Sequence, residues 1–180
     1  SIEDLRRVSD TWLAAHETRE KTFSLGAFQD AYVASQPVAV LRTQGKIVAF
    51  ATLSLTETKQ EATVDLMRFA PDAPRGSMDF LFVRCMEYLQ AAGYRTFNLG
   101  MAPLSGMAQR EAAPVWDRIG SVIFEHGERF YNFKGLKAFK TKFHPHWEPR
   151  YLAVASVSPA IAMVDATLLI GGGLRGVVGK

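Results

Sequence analysis

The chain has 180 residues, of which 48% are hydrophobic and 22% are charged, with a formal net charge of +3. This composition excludes a disordered chain and indicates one domain with a single core. The pI of about 9.1 is a mild indication of anionic partners such as phospholipid, nucleic acid or nucleotide, and the lone Cys85 excludes an internal disulfide and a multi-cysteine zinc site.

The first half of the chain predicts two helices followed by three strands. Apolar residues at helical spacing predict a helix over Glu3–Ala15, and a shorter one follows around Phe28–Ala34. Apolar and β-branched runs then predict strands over Pro37–Thr43, Ile47–Leu55 and Glu61–Phe69. The turn Gln44–Lys46 joins the first two strands into a hairpin.

The second half alternates helices with strands. Helices are predicted over Met78–Ala92, Ala113–His126 and Tyr131–Phe143, and strands over Arg95–Leu99 and Arg150–Ser156. This order predicts an α+β fold of the GNAT (N-acetyltransferase-like) type: a mixed, mostly antiparallel sheet flanked by helices on both faces. Other mixed sheets fit the same order. We place the domain at residues 1–157 and interpret residues 158–180 as a C-terminal helix and a flexible glycine-rich tail.

Two opposite charges, Asp65 and Arg68, occupy an otherwise apolar predicted strand. Residues three apart on a regular strand point to opposite faces, so the two side chains can line one pocket only if the strand bulges between them or ends there. If they do meet, the arginine offers a planar fork for a phosphate or carboxylate, and the aspartate can hold an amine or orient an attacking hydroxyl. A strand with one solvated face, or an ion pair, explains the two residues equally well.

The predicted helix Tyr131–Phe143 interleaves lysines with aromatic residues. Four apolar residues share an arc of about 120° at ~100° per residue; they are Phe133, Leu136, Phe139 and Phe143. Lys140 falls inside this arc, so it must either extend its charge outward on its four-carbon stem or serve a site. The other lysines lie outside the arc, where solvent or an anionic partner can reach them: Lys134, Lys137 and Lys142. A solvated face explains those three, and phosphate contact with base stacking is the functional alternative.

Several familiar sites are disfavoured. The segment Ala73–Met78 has one glycine and the wrong spacing for a loop that binds pyrophosphate, so we expect neither coenzyme A nor any other cofactor. Pro145 separates two histidines that have no third ligand nearby, so we expect no metal site. Asn98 and Ser105 belong to the segment Phe97–Ser105, which places small residues at the end of a predicted strand. Ligands of open sheets bind at such strand ends, although a structural turn is the more frequent explanation.

Four motifs resemble those of one known family: Val64–Arg68, Met78–Phe82, Leu99–Gly106, and the stretch from Tyr131 to Leu136 that continues to Trp147–Tyr151. The chain is similar, over about Asp10–Ala155, to the C-terminal domain of the aminoacyl-phosphatidylglycerol synthases, also called the multiple peptide resistance factor family. The segment Lys21–Gly26 belongs to the same resemblance.

The resemblance implies an aminoacyltransferase that moves a lysyl or alanyl group from aminoacyl-tRNA to phosphatidylglycerol, which changes membrane charge and gives resistance to antimicrobial peptides. It also implies a location at the cytoplasmic face of the bacterial inner membrane. The implied partners are aminoacyl-tRNA, phosphatidylglycerol, an upstream GNAT-like half and a membrane flippase domain. A tRNA donor agrees with the absence of a coenzyme A loop.

Carried over residue by residue, the resemblance implies catalytic roles for Asp65, Arg68 and Lys140. Arg68 would meet the lipid phosphate or the oxyanion, Asp65 the amino group or the attacking hydroxyl, and Lys140 a phosphate or the charge of the intermediate. Further substrate contacts are expected at Tyr131, Asn132, Lys134, Lys137, Asn98 and Ser105. No general base is identified. Two alternatives stay open: a peptidoglycan-type aminoacyl-tRNA-dependent transferase, and a non-catalytic domain that binds lipid or tRNA.

Overall fold

The computed structural model describes residues 1–16, 27–102, 133–151 and 162; for residues 133 and 134 it gives the backbone only. The chain has two compact units, Ser1–Gly100 and Met101–Lys180. The predicted domain boundary after residue 157 and the predicted helix Ala113–His126 lie outside the described residues.

In its described residues, 1–16 and 27–100, the first unit contains three helices and four strands. Each lies within two residues of its predicted bounds: α1 (Ile2–Ala15), α2 (Asp30–Ala34), β1 (Val38–Thr43), β2 (Lys46–Leu55), β3 (Glu61–Phe69), α3 (Ser77–Ala91) and β4 (Thr96–Asn98). The strands form one sheet in the order β1-β2-β3-β4, antiparallel between the first three and parallel between β3 and β4. The α3 crossover explains the parallel pair, because parallel neighbours need a long connection. The predicted α+β, mixed and mostly antiparallel sheet is confirmed.

Helices cover both faces of this sheet. Every residue of β2 from Ile47 to Leu53 is buried, which requires cover on both sides. On one face, α1 and α2 form a core with the sheet through Leu5, Val8, Val33, Ile47, Phe50 and Leu66. On the other, α3 buries Leu81, Phe82, Cys85 and Leu89, and the rings of Phe82 and Phe97 lie 6.1 Å apart. Cys85 is a core residue as predicted, and burial raises the pKa of its thiol.

The second unit contributes the basic helix, α4 (Phe133–Thr141). It ends two residues before the predicted Phe143, in a turn where the Phe143 amide donates to the Lys140 carbonyl at 3.1 Å. Residues 145–151 follow without helix or strand, so Arg150 and Tyr151 do not begin the predicted strand. Within the described ranges, no helix combines the length and the apolar character needed to cross a bilayer.

Candidate functional site

A β-bulge in β3 brings the two charged residues of that strand to one face. Val64 pairs with Leu53 and Met67 with Ala51, so two residues of β3, Asp65 and Leu66, stand opposite the single residue Thr52 of β2. The buried Thr52 hydroxyl accepts a hydrogen bond of 3.0 Å from the Leu66 backbone N–H. This bond satisfies a backbone donor at the bulge, where the regular pairing between the strands is interrupted. The bulge that the Asp65–Arg68 hypothesis required is present.

Asp65 lies at this bulge and contacts α2. The Tyr32 hydroxyl donates a hydrogen bond of 2.7 Å to Oδ2 of Asp65. Asp65 is half-buried, whereas its neighbour Leu66 belongs to the core under α1 and α2. The consecutive residues Asp65 and Leu66 therefore lie on the same face of the sheet. Leu66 packs in the core, and Asp65 forms a polar contact beside it.

Arg68 lies on the same face and contacts α1. It pairs with Phe50, a member of the core beneath α1 and α2, and the residue is 5% exposed. Its Nη1 donates to the hydroxyl of Ser9, which is fully buried, and its guanidinium carbon lies 5.3 Å from the centroid of the Trp12 ring. The guanidinium is thus held by a hydroxyl and an aromatic face from one helix.

Lys140 is buried, in agreement with its predicted position within the apolar arc of the helix. The residue is 4% exposed, and Nζ donates a hydrogen bond of 2.8 Å to the carbonyl of Met101, within the same unit. Burial lowers the pKa of Lys140 to about 8, because a buried ammonium loses hydration. Lys137 is half-buried and Lys142 is exposed, with Nζ 5.6 Å from the Phe139 ring centroid. The implied catalytic role of Lys140 stays a prediction.

Asn98 makes two local hydrogen bonds. Its amide oxygen accepts the Gly100 N–H at 2.8 Å, and its amide nitrogen donates to Glu61 at 3.3 Å. Gly100 has a φ of +75°, so the side chain caps a turn that favours glycine. The structural interpretation of Asn98 therefore has direct support, while its role as a substrate contact stays a prediction.

The structure gives no side-chain position for four other residues predicted to contact substrate. Tyr131, Asn132 and Ser105 are outside the described residues, and Lys134 is described only as part of the α4 backbone. Their roles stay predictions.

Three side chains that the sequence did not single out contribute hydrogen bonds around the bulge. Tyr32 bonds Asp65, Ser9 bonds Arg68, and Thr52 bonds the Leu66 backbone between them. The burial of Ser9 could have been predicted from the sequence, since it lies four residues after Leu5 on the buried side of α1. Thr52 is a hydroxyl within the buried run of β2. The contact of Tyr32 with Asp65 could not have been predicted from local sequence, because the two residues are 33 positions apart.

This arrangement offers a half-buried carboxylate and a buried guanidinium on one sheet face. A guanidinium can stabilise a phosphate or an oxyanion, and a carboxylate can accept a proton or bind an ammonium. Within the described residues, no group of three or more His, Cys, Asp or Glu side chains could hold a metal ion.

Comparison with known proteins identifies the relatives of this sequence. A family model described as phosphatidylglycerol lysyltransferase, C-terminal, matches residues 1–154. The chain is 40% identical over 172 residues to a phosphatidylglycerol lysyltransferase of Bacillus subtilis, covering 94% of this chain and 20% of that protein. The chain therefore spans about a fifth of the length of this curated relative.

Two solved structures are similar along nearly the whole chain. One is the C-terminal domain of a protein assigned as a lysylphosphatidylglycerol synthetase in Agrobacterium fabrum, with 66% identity, a TM-score of 0.79, and coverage of 98% of this chain and 52% of that one. The other is L-PGS from Bacillus licheniformis, with 37% identity, a TM-score of 0.73, and coverage of 94% and 50%.

Proposed function

Because this chain belongs to the phosphatidylglycerol lysyltransferase C-terminal family, we propose that it is the part of an aminoacyltransferase that transfers a lysyl group from lysyl-tRNA to phosphatidylglycerol. Lysyl is preferred over the alternative alanyl because the curated relatives are named lysyltransferases. The observation that carries the proposal is the bulge of β3, which gives Asp65 and Arg68 a common face.

The proposed reaction exchanges one ester for another. A hydroxyl oxygen of the glycerol headgroup attacks the carbonyl carbon of the aminoacyl ester and loses its proton. The bond from that carbon to the ribose oxygen of the tRNA breaks, and the ribose oxygen takes up a proton. No external energy source is needed, so the protein has to orient two substrates, move one proton and stabilise an oxyanion.

Three residues divide this work in the proposal. The buried guanidinium of Arg68 meets the lipid phosphate or the oxyanion, a role favoured by its planar set of donors. Asp65 meets the donor amino group or the attacking hydroxyl. Lys140 contributes positive charge to a phosphate or to the intermediate, and its pKa of about 8 leaves it mostly protonated at neutral pH.

The proposal also fixes partners and location. The donor is a cytoplasmic RNA, so the site faces the cytoplasm at the inner membrane, and the chain functions with an upstream GNAT-like half and a membrane flippase domain. Esterification with lysine converts an anionic headgroup into a cationic one, which would repel cationic antimicrobial peptides.

One assay tests this function. The chain joined to its upstream half is mixed with radiolabelled lysyl- or alanyl-tRNA and phosphatidylglycerol vesicles, with phosphatidylcholine vesicles as the control because that headgroup has no hydroxyl. Label in the lipid phase with phosphatidylglycerol alone supports the proposal. A parallel reaction supplies a peptidoglycan precursor as the acceptor. Label on that precursor but not on lipid would refute the proposal in favour of a cell-wall transferase, and vesicle binding without any lipid product would refute it in favour of a binding domain.

A further inference from the structure

The short helix α2 has a fixed place beside the site. It consists of five residues, Asp30–Ala34, and Val33 among them is fully buried in the core cluster that includes Val8 of α1. Arg6 and Asp30 form an ion pair that ties the start of α2 to α1. A helix of this length is not stable alone, so these tertiary contacts hold it over the sheet.

Tyr32 uses this fixed position to reach the bulge. It directly precedes the buried Val33, its residue surface is 37% exposed, and its hydroxyl donates to Oδ2 of Asp65 at 2.7 Å. The hydrogen bond to Asp65 and, next, burial raise the pKa of Tyr32, while a hydrogen bond with Gln36 acts in the opposite direction. Tyr32 therefore keeps its proton at neutral pH and remains a donor to the carboxylate.

Asp65 needs such a donor because of where it lies. In a regular ladder the alternation of side chains sets the direction of each residue, but a bulge interrupts that alternation. The terminal torsion of an aspartate is also broad, so the backbone alone does not fix the direction of its oxygens. A hydrogen bond of 2.7 Å from a side chain anchored on a neighbouring helix selects one direction.

We propose that Tyr32 is a positioning residue for the transfer reaction, whose hydroxyl holds the Asp65 carboxylate in the orientation in which it meets the donor amino group or the attacking hydroxyl. This inference rests on the proposed function. The competing explanation is that the Tyr32–Asp65 hydrogen bond only fastens α2 to the sheet.

The first measurement tests the contact without any reaction. The ring carbons of tyrosine are labelled, and the alkaline titration of Tyr32 is followed by NMR in the wild-type chain and in Asp65→Asn. Loss of the carboxylate is expected to lower the pKa of Tyr32, since the hydrogen bond to Asp65 is the largest cause of its elevation. An identical titration in both proteins would overturn the proposal.

The second measurement separates positioning from stability. In the chain joined to its upstream half, Tyr32→Phe is expected to lower kcat for lysyl transfer by about tenfold or more, with KM for vesicles and Tm close to wild type. In the Asp65→Asn background the same change should cause no further loss. Tyr88→Phe is the matched control, because Tyr88 lies on α3 with 62% exposure, and it should leave kcat unchanged.

The outcomes distinguish this inference from the function it rests on. Wild-type kcat in Tyr32→Phe, while the parent protein transfers lysine to phosphatidylglycerol, would overturn the role of Tyr32 alone. A fall in kcat that is matched by a fall in Tm and persists in the Asp65→Asn background would also overturn it. A parent protein that makes no lipid product would refute the proposed function itself, and the NMR titration would still report on the contact.

Discussion

Replacing Lys140 with methionine should change how the stability of the protein depends on pH. Burial lowers the pKa of Lys140 from 10.5 to about 8. At 1.36 kcal/mol per pKa unit, holding the ammonium in its buried place destabilises the folded state by about 3 kcal/mol below pH 8. Between pH 8 and 10.5 the unfolded chain binds more protons than the folded one, so the free energy of unfolding rises with pH in this window.

The methionine variant lacks this dependence and keeps a side chain of similar length. It also removes the donor to the Met101 carbonyl, and a hydrogen bond to a charged group contributes about 1.5–3 kcal/mol. At pH 7 the two effects partly cancel, so the absolute stability of Lys140→Met is a poor test. The difference between the proteins as pH rises is the informative quantity: the wild type should gain about 2 kcal/mol relative to the variant between pH 7 and pH 9.5.

The assay is urea unfolding at both pH values, followed by tryptophan fluorescence. In a Trp12→Phe background the remaining tryptophans, Trp116 and Trp147, both belong to the unit Met101–Lys180 that contains α4. Lys142→Met is the matched control, because Lys142 is exposed one residue after the end of the same helix, and it should keep the wild-type slope.

A stability difference between wild type and Lys140→Met that stays constant from pH 7 to pH 9.5 would refute the reasoning. It would mean that the Lys140 ammonium is hydrated in solution and that burial does not lower its pKa. The same variant should lower lysyl transfer by more than about tenfold, or about 1.4 kcal/mol.

Three further changes test the architecture around the bulge. Thr52→Val leaves the Leu66 N–H without its side-chain acceptor and should destabilise the fold by about 1–3 kcal/mol in urea unfolding. Thr63→Val on β3 should destabilise it less, since Thr63 is only half-buried. Equal losses of stability in the two variants would contradict the assigned role of the Thr52 hydroxyl. Arg68→Lys keeps the charge but loses the planar fork, so transfer should fall by more than about tenfold, and a wild-type rate would remove the fork from the mechanism. Gly76→Ala should lower the free energy of unfolding by about 1–2 kcal/mol in the same assay, because a φ of +81° is unfavourable for a residue with a side chain. Nothing lies within 4 Å of the added methyl group, so the cost comes from the backbone alone. An unchanged unfolding curve would show that the loop relaxes.

The sequence predicted the elements of the first unit well because local signals were strong. Apolar periodicity predicted the bounds of α1 and α3 to within one residue, and the mostly apolar segment Glu61–Phe69 was predicted as a strand with the bounds of β3. The same periodicity predicted the unusual position of Lys140, which is buried. These features depend on neighbours within a few turns of the chain, and spacing along the sequence reports such neighbours directly.

The details of the site depend on contacts between distant residues. The sequence showed that Asp65 and Arg68 needed a bulge, but whether one forms depends on the pairing of β3 with β2, which local pattern does not encode. Tyr32 lies 33 residues before Asp65, and Ser9 lies 59 residues before Arg68. Asn98 was predicted as a substrate contact from its place at a strand end, and its hydrogen bond to Glu61, 37 residues away, became visible only in three dimensions.

The bulge in β3 also affects how this sequence can evolve. In a regular strand successive side chains point to opposite faces, so two neighbouring residues cannot both face the same side, and one position would have to serve either the core or the site. Here Leu66 packs in the core and Asp65 bonds Tyr32, opposite the same residue of β2. Mutations that adjust the core can fall on Leu66 and mutations that adjust chemistry on Asp65, so selection can act on stability and on activity separately at one point of the sheet.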